Sequence, residues 1–108
     1  MIRFEELETK VLSNFQGGQG DILAKIAADD THRIIRSVYA PGVSTGYHRH
    51  DGSDEIIFIL QGSCKVLHEG KEERLQAGES HYCKEGESHA VINDGETDLI
   101  MFAVVTNF

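Results

Sequence analysis

Three residues with the chemistry of metal ligands lie near the middle of the chain: His48, His50 and, five residues later, Glu55. On a β-strand, residues two positions apart share a face, so the two imidazoles would point one way and Arg49 the other. This spacing alone is weak evidence, because two surface histidines on one strand arise easily by chance. Glu55 opens the most apolar stretch of the chain, residues 56–60, where an inward-facing carboxylate needs a partner. A metal ion would be such a partner.

A third histidine, His89, follows the turn at residues 84–87 and precedes Val91 and Asn93 at strand spacing. It can therefore also point inward, although a single inward histidine is more often a core residue than a ligand. Three neutral imidazoles and one carboxylate form a donor set that suits Fe, Mn, Ni, Cu or Zn and suits Ca or Mg poorly. One or two coordination positions would remain open.

Two stretches of the chain place these candidate ligands among glycines at fixed spacings. The first, within residues 42–62, reads Gly42-x5-His48-x-His50-x4-Glu55-x6-Gly62. The second, within residues 78–93, reads Gly78-x5-Lys84-x-Gly86-x2-His89-x3-Asn93. These stretches resemble the two conserved sequence motifs of the cupin family. The resemblance implies an all-β fold, a double-stranded β-helix or jelly-roll barrel, with a divalent metal held inside by His48, His50, Glu55 and His89.

The second motif departs from the family pattern at one position. Lys84 stands where that motif usually has a proline, whose ring presets φ in the turn. Gly86 is present and can still supply the unusual backbone angle. We therefore expect the turn to form, with less rigidity.

Turn-forming residues recur at short, regular intervals, and short apolar or alternating runs lie between them. This spacing is typical of all-β sandwiches and barrels. We expect one domain over residues 1–108. Strands are predicted near residues 22–28, 32–40, 47–50, 55–61, 63–69, 72–75, 80–83, 88–92 and 97–105. Residues 3–15 fit a helical stripe or an extended segment, so a short N-terminal helix or arm is expected.

Composition excludes several partners. Eighteen acidic against ten basic residues give a formal net charge of -8, the wrong sign for nucleic acid or anionic lipid, so neither is expected to bind. The longest apolar run, residues 99–105, is short of the about 20 residues that cross a bilayer as a helix. Residues 1–6 lack the pattern of a signal peptide, and two cysteines are too few for a disulfide scaffold. We expect a cytoplasmic protein with reduced thiols.

His81 and Cys83 alternate with Tyr82 just before the second motif, and two orientations are open. In the first, His81 and Cys83 face the cavity. His81 would then be a catalytic acid or base, or an orienting residue, and Cys83 a soft group in the substrate pocket. In the second, Tyr82 points inward and His81 lies in solvent. Cys83 can also be an inert buried thiol.

Residues outside the motifs have simpler expected roles. Arg36 and Tyr39 lie on opposite faces of a strand, and one of them is a candidate substrate contact. His32 and His68 are expected in water at strand ends. The acidic residues near 69–73 are expected to form a solvated surface.

The strand at residues 55–61 is apolar on both faces. One face would line the barrel interior, and the other needs a cover that a second subunit can provide. Closed two-fold pairs are the commonest oligomers, and the family resemblance also implies dimers. We therefore expect a homodimer.

Cupins include enzymes and non-enzymatic binding domains, so function must be argued from the site. A divalent metal with three neutral imidazoles and one carboxylate carries a local charge of +1, which attracts anionic oxygen. The first hypothesis is a metal-dependent enzyme that acts on a small, oxygen-rich, anionic metabolite. The second is a binding or sensing module that holds a sugar or other metabolite without converting it. A purely structural metal is a third possibility, although structural zinc sites usually include cysteines.

Overall fold

The computed structural model describes residues 1–108, and β-strands dominate it. The ten strands are β1 Lys10–Ser13, β2 Asp21–Ala28, β3 His32–Tyr39, β4 His48–Arg49, β5 Ser53–Gln61, β6 Ser63–His68, β7 Lys71–Gln76, β8 Ser80–Cys83, β9 Ser88–Ile92 and β10 Leu99–Asn107. Two short 3-10 turns, Phe4–Glu6 and Phe15–Gly17, flank β1. No helix has the length and apolar character that would let it span a bilayer.

The strands form two antiparallel sheets. The larger has the order β1-β2-β3-β10-β5-β8, and the smaller has the order β4-β9-β6-β7. Neighbours in a sheet are mostly distant in sequence, as in β10, which pairs with both β3 and β5. This is the jelly-roll arrangement that the motif resemblance implied, and the predicted all-β barrel is confirmed.

The core lies between the two sheets because each strand buries alternate side chains. β10 shows the pattern most clearly, with Leu99, Met101, Ala103 and Val105 buried and the residues between them partly exposed. The smaller sheet contributes inward-facing residues of β6 and β9, among them Val66. Period-2 burial of this kind is what the alternating apolar runs predicted.

The N-terminal segment, residues 1–20, is an extended arm rather than a helix. After the turn at Phe4–Glu6, β1 pairs with β2 from Lys10↔Ala24 to Ser13↔Asp21. Its backbone hydrogen bonds therefore go to a neighbouring strand, which a helix would not allow. Leu12 packs against the core, whereas Val11 is 56% exposed, so the helical stripe read in the sequence does not describe the packing.

The arm is tightly docked against the loop that precedes β4. The amide of Gly46 donates to the carbonyl of Phe15 at 2.9 Å, and the amide of Ser44 donates to the carbonyl of Gln19 at 2.9 Å. A Cβ atom on Gly46 would collide with the backbone carbonyl of Gln16. Glycine at this position lets two backbones approach more closely than a side chain would permit.

The outer face of the larger sheet exposes apolar side chains. Ile56, Phe58 and Leu60 of β5 are 49%, 39% and 45% exposed, and Tyr82 on the adjacent β8 is 47% exposed. Ile57 and Ile59 of the same strand are buried in the core. The strand is thus apolar on both faces, as the sequence indicated.

Candidate metal centre

Three strands bring four candidate ligands together. His48 lies on β4 and His50 directly after it, and His48 pairs in register with His89 on β9. Glu55 comes from β5 in the opposite sheet, directed inward by the same alternation that buries Ile57. The residues that the sequence predicted as ligands therefore meet between the sheets, and we call this group the His3Glu cluster.

The ligand atoms of the His3Glu cluster all lie within 4.8 Å of one another. Nε2 of His50 is 3.0 Å from Nε2 of His89. Oε1 of Glu55 is 3.3 Å from Nε2 of His50 and 3.1 Å from Nε2 of His89. His50 and His89 are buried, and the Glu55 side chain is only 16% exposed.

Each imidazole of the cluster has its Nδ1 atom engaged by another protein group. His48 Nδ1 donates to the carbonyl of Gly46 at 2.9 Å. His50 Nδ1 lies 3.0 Å from Ser53 Oγ, and His89 Nδ1 lies 3.0 Å from Nε2 of His81. Metal-binding histidines are typically held in this way, with one nitrogen in a hydrogen bond and the other directed at the metal.

The donor set fits a divalent transition metal. Two nitrogens at roughly 2.0–2.1 Å from a common metal ion and at right angles to each other would be about 3.0 Å apart. The observed Nε2–Nε2 and Oε1–Nε2 distances of 3.0, 3.3 and 3.1 Å match this separation. Lone pairs and a carboxylate that converge so closely need a cation or a shared proton between them.

The protonation states also suit ligation. Burial lowers the pKa of His48, and the neighbouring imidazoles of His89 and His50 lower it further, so the neutral form is favoured. Burial alone would raise the pKa of Glu55, but the adjacent imidazoles of His50 and His89 outweigh that effect and hold the pKa at about 2. Neutral imidazole and ionised carboxylate are the forms that bind metals.

The turn of the second motif forms without its usual proline. Gly86 has φ +85° and its amide donates to the carbonyl of His50 at 2.7 Å, which ties the turn to the cluster. The amide of Lys84, which a proline would lack, donates to Oε1 of Glu87 at 2.9 Å. A side-chain hydrogen bond thus closes the turn at the position where the family motif has a rigid ring.

Asn93, the last residue of the second motif, has a structural role. It is fully buried, and its Nδ2 donates to the carbonyls of Tyr39 and Thr97 at 2.8 and 2.9 Å. Its Oδ1 accepts from the amide of Gly95 at 3.0 Å. Asn93 therefore joins three backbone segments and contributes no ligand atom to the cluster.

A cavity of about 360 Å³ contains the His3Glu cluster in its wall. Most of the remaining wall is apolar and comes from both sheets and the N-terminal arm: Leu12, Phe15, Ile22, Ala24, Ile26, Ile35, Ile57, Val91, Met101, Ala103 and Val105. Of the two candidate substrate contacts, Tyr39 lines the cavity, and Arg36 is exposed and does not. The arginines in the lining are Arg33 and Arg49, and Arg49 is paired with Asp51 at 2.8 Å.

His81 and Cys83 point into the barrel and Tyr82 points out, which is the side-chain alternation of the first predicted orientation. Neither residue lines the cavity, however, which departs from the predicted place of Cys83 in the substrate pocket and of His81 at the substrate. His81 lies against Nδ1 of His89 and also bonds to Glu73 at 3.0 Å. Cys83 donates to the carbonyl of Glu87 at 3.5 Å, and burial raises its pKa to about 12.

His68 was expected in water, and this expectation is wrong. Its side chain is only 20% exposed, its ring centroid lies 4.8 Å from that of His81, and its Nε2 bonds to Glu87 at 3.0 Å. The available signal was its spacing of two and four residues from Val66 and Cys64, which places all three on one strand face. His32, the other histidine outside the motifs, is half-exposed and bonds to Thr31.

The acidic residues near 69–73 are more than a solvated surface. Glu73 bonds to His81, and Oε2 of Glu69 accepts from the amide of Ser88 at 3.0 Å. All three acidic residues, Glu69, Glu72 and Glu73, are exposed as expected, and Glu72 makes no side-chain hydrogen bond. These partners lie on strands remote in sequence, so composition alone did not reveal them.

Known proteins resemble this chain in sequence and in fold. A protein-family model for the cupin domain matches residues 35–105. The oxalate-binding protein of Thermotoga maritima is 35% identical over 111 residues, which span 97% of this chain and 92% of that protein. The pectin degradation protein KdgF of Dickeya dadantii is 29% identical over 63 residues, 58% of this chain and 57% of that protein.

Solved structures extend the likeness to the whole barrel. A Thermotoga maritima protein described as a predicted oxalate decarboxylase superposes with a TM-score of 0.93 at 31% identity, covering 100% of this chain and 99% of that one. KdgF from Halomonas sp. superposes with a TM-score of 0.84 at 19% identity, covering 100% and 94%. The second likeness concerns the fold alone.

Proposed function

The chain belongs to the cupin domain family, and from this premise we propose that it is a metal-dependent enzyme acting on a small anionic metabolite. His48, His50, Glu55 and His89 would hold one divalent transition-metal ion. The observation that carries the proposal is the convergence of their four ligand atoms in the wall of a cavity. Bound there, the metal would supply Lewis-acid chemistry to an oxygen of the ligand.

The residues of the chain would orient the ligand and exclude water. Three neutral imidazoles and the Glu55 carboxylate leave a net local charge of +1 around a divalent ion, which favours an anionic ligand end. The apolar walls formed by residues such as Ile22, Ile35 and Met101 keep water away from the rest of the ligand. The names of the Thermotoga maritima relatives, which refer to oxalate, support a carboxylate at the metal.

The size and walls of the cavity favour a ligand larger than oxalate. A volume of about 360 Å³ falls in the range of roughly 300–1,000 Å³ that is usual for organic ligands. Oxalate carries charge at both ends and would leave most of the apolar wall uncovered. We therefore propose a carboxylate, 2-oxo acid or hydroxy acid that also carries an apolar body.

A ligand series tests this function. Oxalate, pyruvate, 2-oxohexanoate and phenylpyruvate would be titrated by calorimetry into protein loaded with Mn²⁺ or Zn²⁺, and the mixtures followed by NMR for product. We expect affinity to rise with apolar size, conversion of at least one compound, and loss of both binding and conversion in His48→Ala. Equal affinity for oxalate and phenylpyruvate would contradict the ligand class.

The second candidate is a binding or sensing module. The placement of His81 outside the cavity lining favours it, because His81 was the best candidate for an acid or base at the substrate. In the same ligand series, metal-dependent binding without any conversion would support this function. Conversion that is lost with the metal would exclude it.

A further inference from the structure

His81 and Glu73 form a hydrogen-bonded chain behind one ligand of the His3Glu cluster. Nε2 of His81 lies 3.0 Å from Nδ1 of His89, and Nδ1 of His81 lies 3.0 Å from Oε1 of Glu73. The His81 side chain is 2% exposed, whereas that of Glu73 is 46% exposed. The chain therefore runs from the buried cluster to a carboxylate at the surface on β7.

The chemistry of Glu73 sets the proton positions along this chain. An ionised carboxylate only accepts hydrogen bonds, so the proton of the His81–Glu73 bond sits on Nδ1 of His81. A neutral imidazole carries one ring proton, so with Nδ1 of His81 protonated, its Nε2 is a bare acceptor 3.0 Å from Nδ1 of His89. The bond between the two histidines must consequently be donated by Nδ1 of His89. Nε2 of neutral His89 is left with a free lone pair.

That lone pair is directed at the other ligand atoms, since Nε2 of His89 lies 3.0 Å from Nε2 of His50 and 3.1 Å from Oε1 of Glu55. We propose that Glu73 and His81 are positioning residues which together hold His89 in the tautomer that ligates the metal. The proposal rests on the proposed metal function and adds to it a surface carboxylate outside both sequence motifs. Nδ1 of His48 and Nδ1 of His50 bond instead to the Gly46 carbonyl and the Ser53 hydroxyl, without a second imidazole.

The neighbouring cluster of His68, His81 and Cys83 does not compete with this arrangement as a second metal site. Both nitrogens of His81 are already bonded, and Nε2 of His68 is bonded to Glu87. The thiol of Cys83 donates to the carbonyl of Glu87 at 3.5 Å. His68 and Cys83 pack beside the hydrogen-bonded residues Glu73, His81 and His89 and leave the hydrogen bonds between them intact.

The first test places the protons directly. In ¹⁵N-labelled protein, both metal-free and loaded with Zn²⁺, long-range ¹H–¹⁵N NMR reports which nitrogen of each imidazole is protonated. We expect His81 protonated at Nδ1 and bare at Nε2, with a scalar coupling across the hydrogen bond to Nδ1 of His89. A proton on Nε2 of His81 in both forms would overturn the proposal.

The second test measures Zn²⁺ and Mn²⁺ affinity by competition with a chelator. Removing an outer hydrogen-bond partner typically weakens metal binding about 10- to 100-fold, and we expect this range for His81→Phe and about tenfold for Glu73→Leu. Glu73→Gln retains an acceptor for His81 and should bind within about threefold of the wild type. Glu72→Leu is the matched control, because Glu72 is exposed and directly precedes Glu73 on β7, and it should leave the metal affinity unchanged.

The outcomes separate this proposal from the metal function itself. If His81→Phe fails to fold, Glu73→Leu at the surface still decides the affinity test. Equal affinities of Glu73→Leu and Glu72→Leu would overturn the positioning role. If the wild type binds neither metal, the proposed function fails, and the proton positions in the metal-free protein alone decide whether Glu73 sets the tautomer of His89.

Discussion

At the scale of single residues, the three imidazoles of the His3Glu cluster share one arrangement. Each has Nδ1 bonded outward, to Gly46, Ser53 or His81, and Nε2 directed inward. The motif spacing predicted which side chains would form the cluster, because strand alternation and turn length determine which side chains share a face. It did not predict the outward partners, since these depend on which remote strands are neighbours in space.

The two thiols illustrate how burial controls reactivity. Cys64 and Cys83 are both fully buried, and burial is the main cause that raises their pKa values to about 11 and about 12. The thiolate is the reactive form, so we predict that a disulfide reagent at pH 8 labels the native protein at least about a hundredfold more slowly than the denatured protein. Absorbance of the released thiol follows both reactions.

Cys64→Ser isolates the behaviour of Cys83 in this assay. Its remaining thiol should stay unreactive in the folded state and react fully in denaturant, with one thiol per chain. Native-state labelling of Cys83 at the denatured rate would show that the residue is accessible, contrary to its position in the barrel.

At the scale of elements, the sequence predicted most strands within about two residues, because turn residues bound short alternating runs. The exception is the N-terminal segment, whose apolar spacing fitted a helix and whose strand β1, Lys10–Ser13, pairs with β2 instead. Whether such a segment forms a helix or a strand depends on the strand that it pairs with in the folded protein, and the sequence pattern alone did not reveal that pairing. The interior position of His68 also depends on contacts between strands that are distant in sequence, and it was not predicted for the same reason.

The docking of the arm against the loop before β4 depends on Gly46. A Cβ there would collide with the carbonyl of Gln16, so we predict that Gly46→Ala lowers stability by about 1–3 kcal/mol. Gly95→Ala is the matched control, because the nearest side-chain atom would be Asn93 Oδ1 at 3.4 Å, at the edge of ordinary contact. Chemical denaturation of both variants measures the difference. Equal stabilities would mean that the arm is not held by this contact.

At the scale of the whole molecule, an apolar surface remains on the outer face of the larger sheet. Ile56, Phe58, Leu60 and Tyr82 are all at least 39% exposed and lie on adjacent strands. Contiguous exposed apolar side chains of this kind usually mark an interface. We propose that a second copy of the chain covers this face, which gives the homodimer that the sequence led us to expect.

The proposed dimer predicts a specific effect of charge on this face. Phe58→Asp should convert the protein from dimer to monomer, because an unpaired carboxylate in an apolar interface is strongly unfavourable. Thr97→Asp, at an exposed position outside the strands, should remain dimeric. Sedimentation velocity or light scattering after size exclusion reports the mass. A wild-type protein that is monomeric at all concentrations would contradict the interface.

Metal content tests the proposed metal site most directly, and elemental mass spectrometry measures it in protein purified without chelators or nickel resin. We predict about one Fe, Mn, Ni, Cu or Zn ion per chain in the wild type and almost none in His50→Ala. The absence of metal from the wild type after reconstitution, or equal metal in both proteins, would contradict a metal site at the His3Glu cluster.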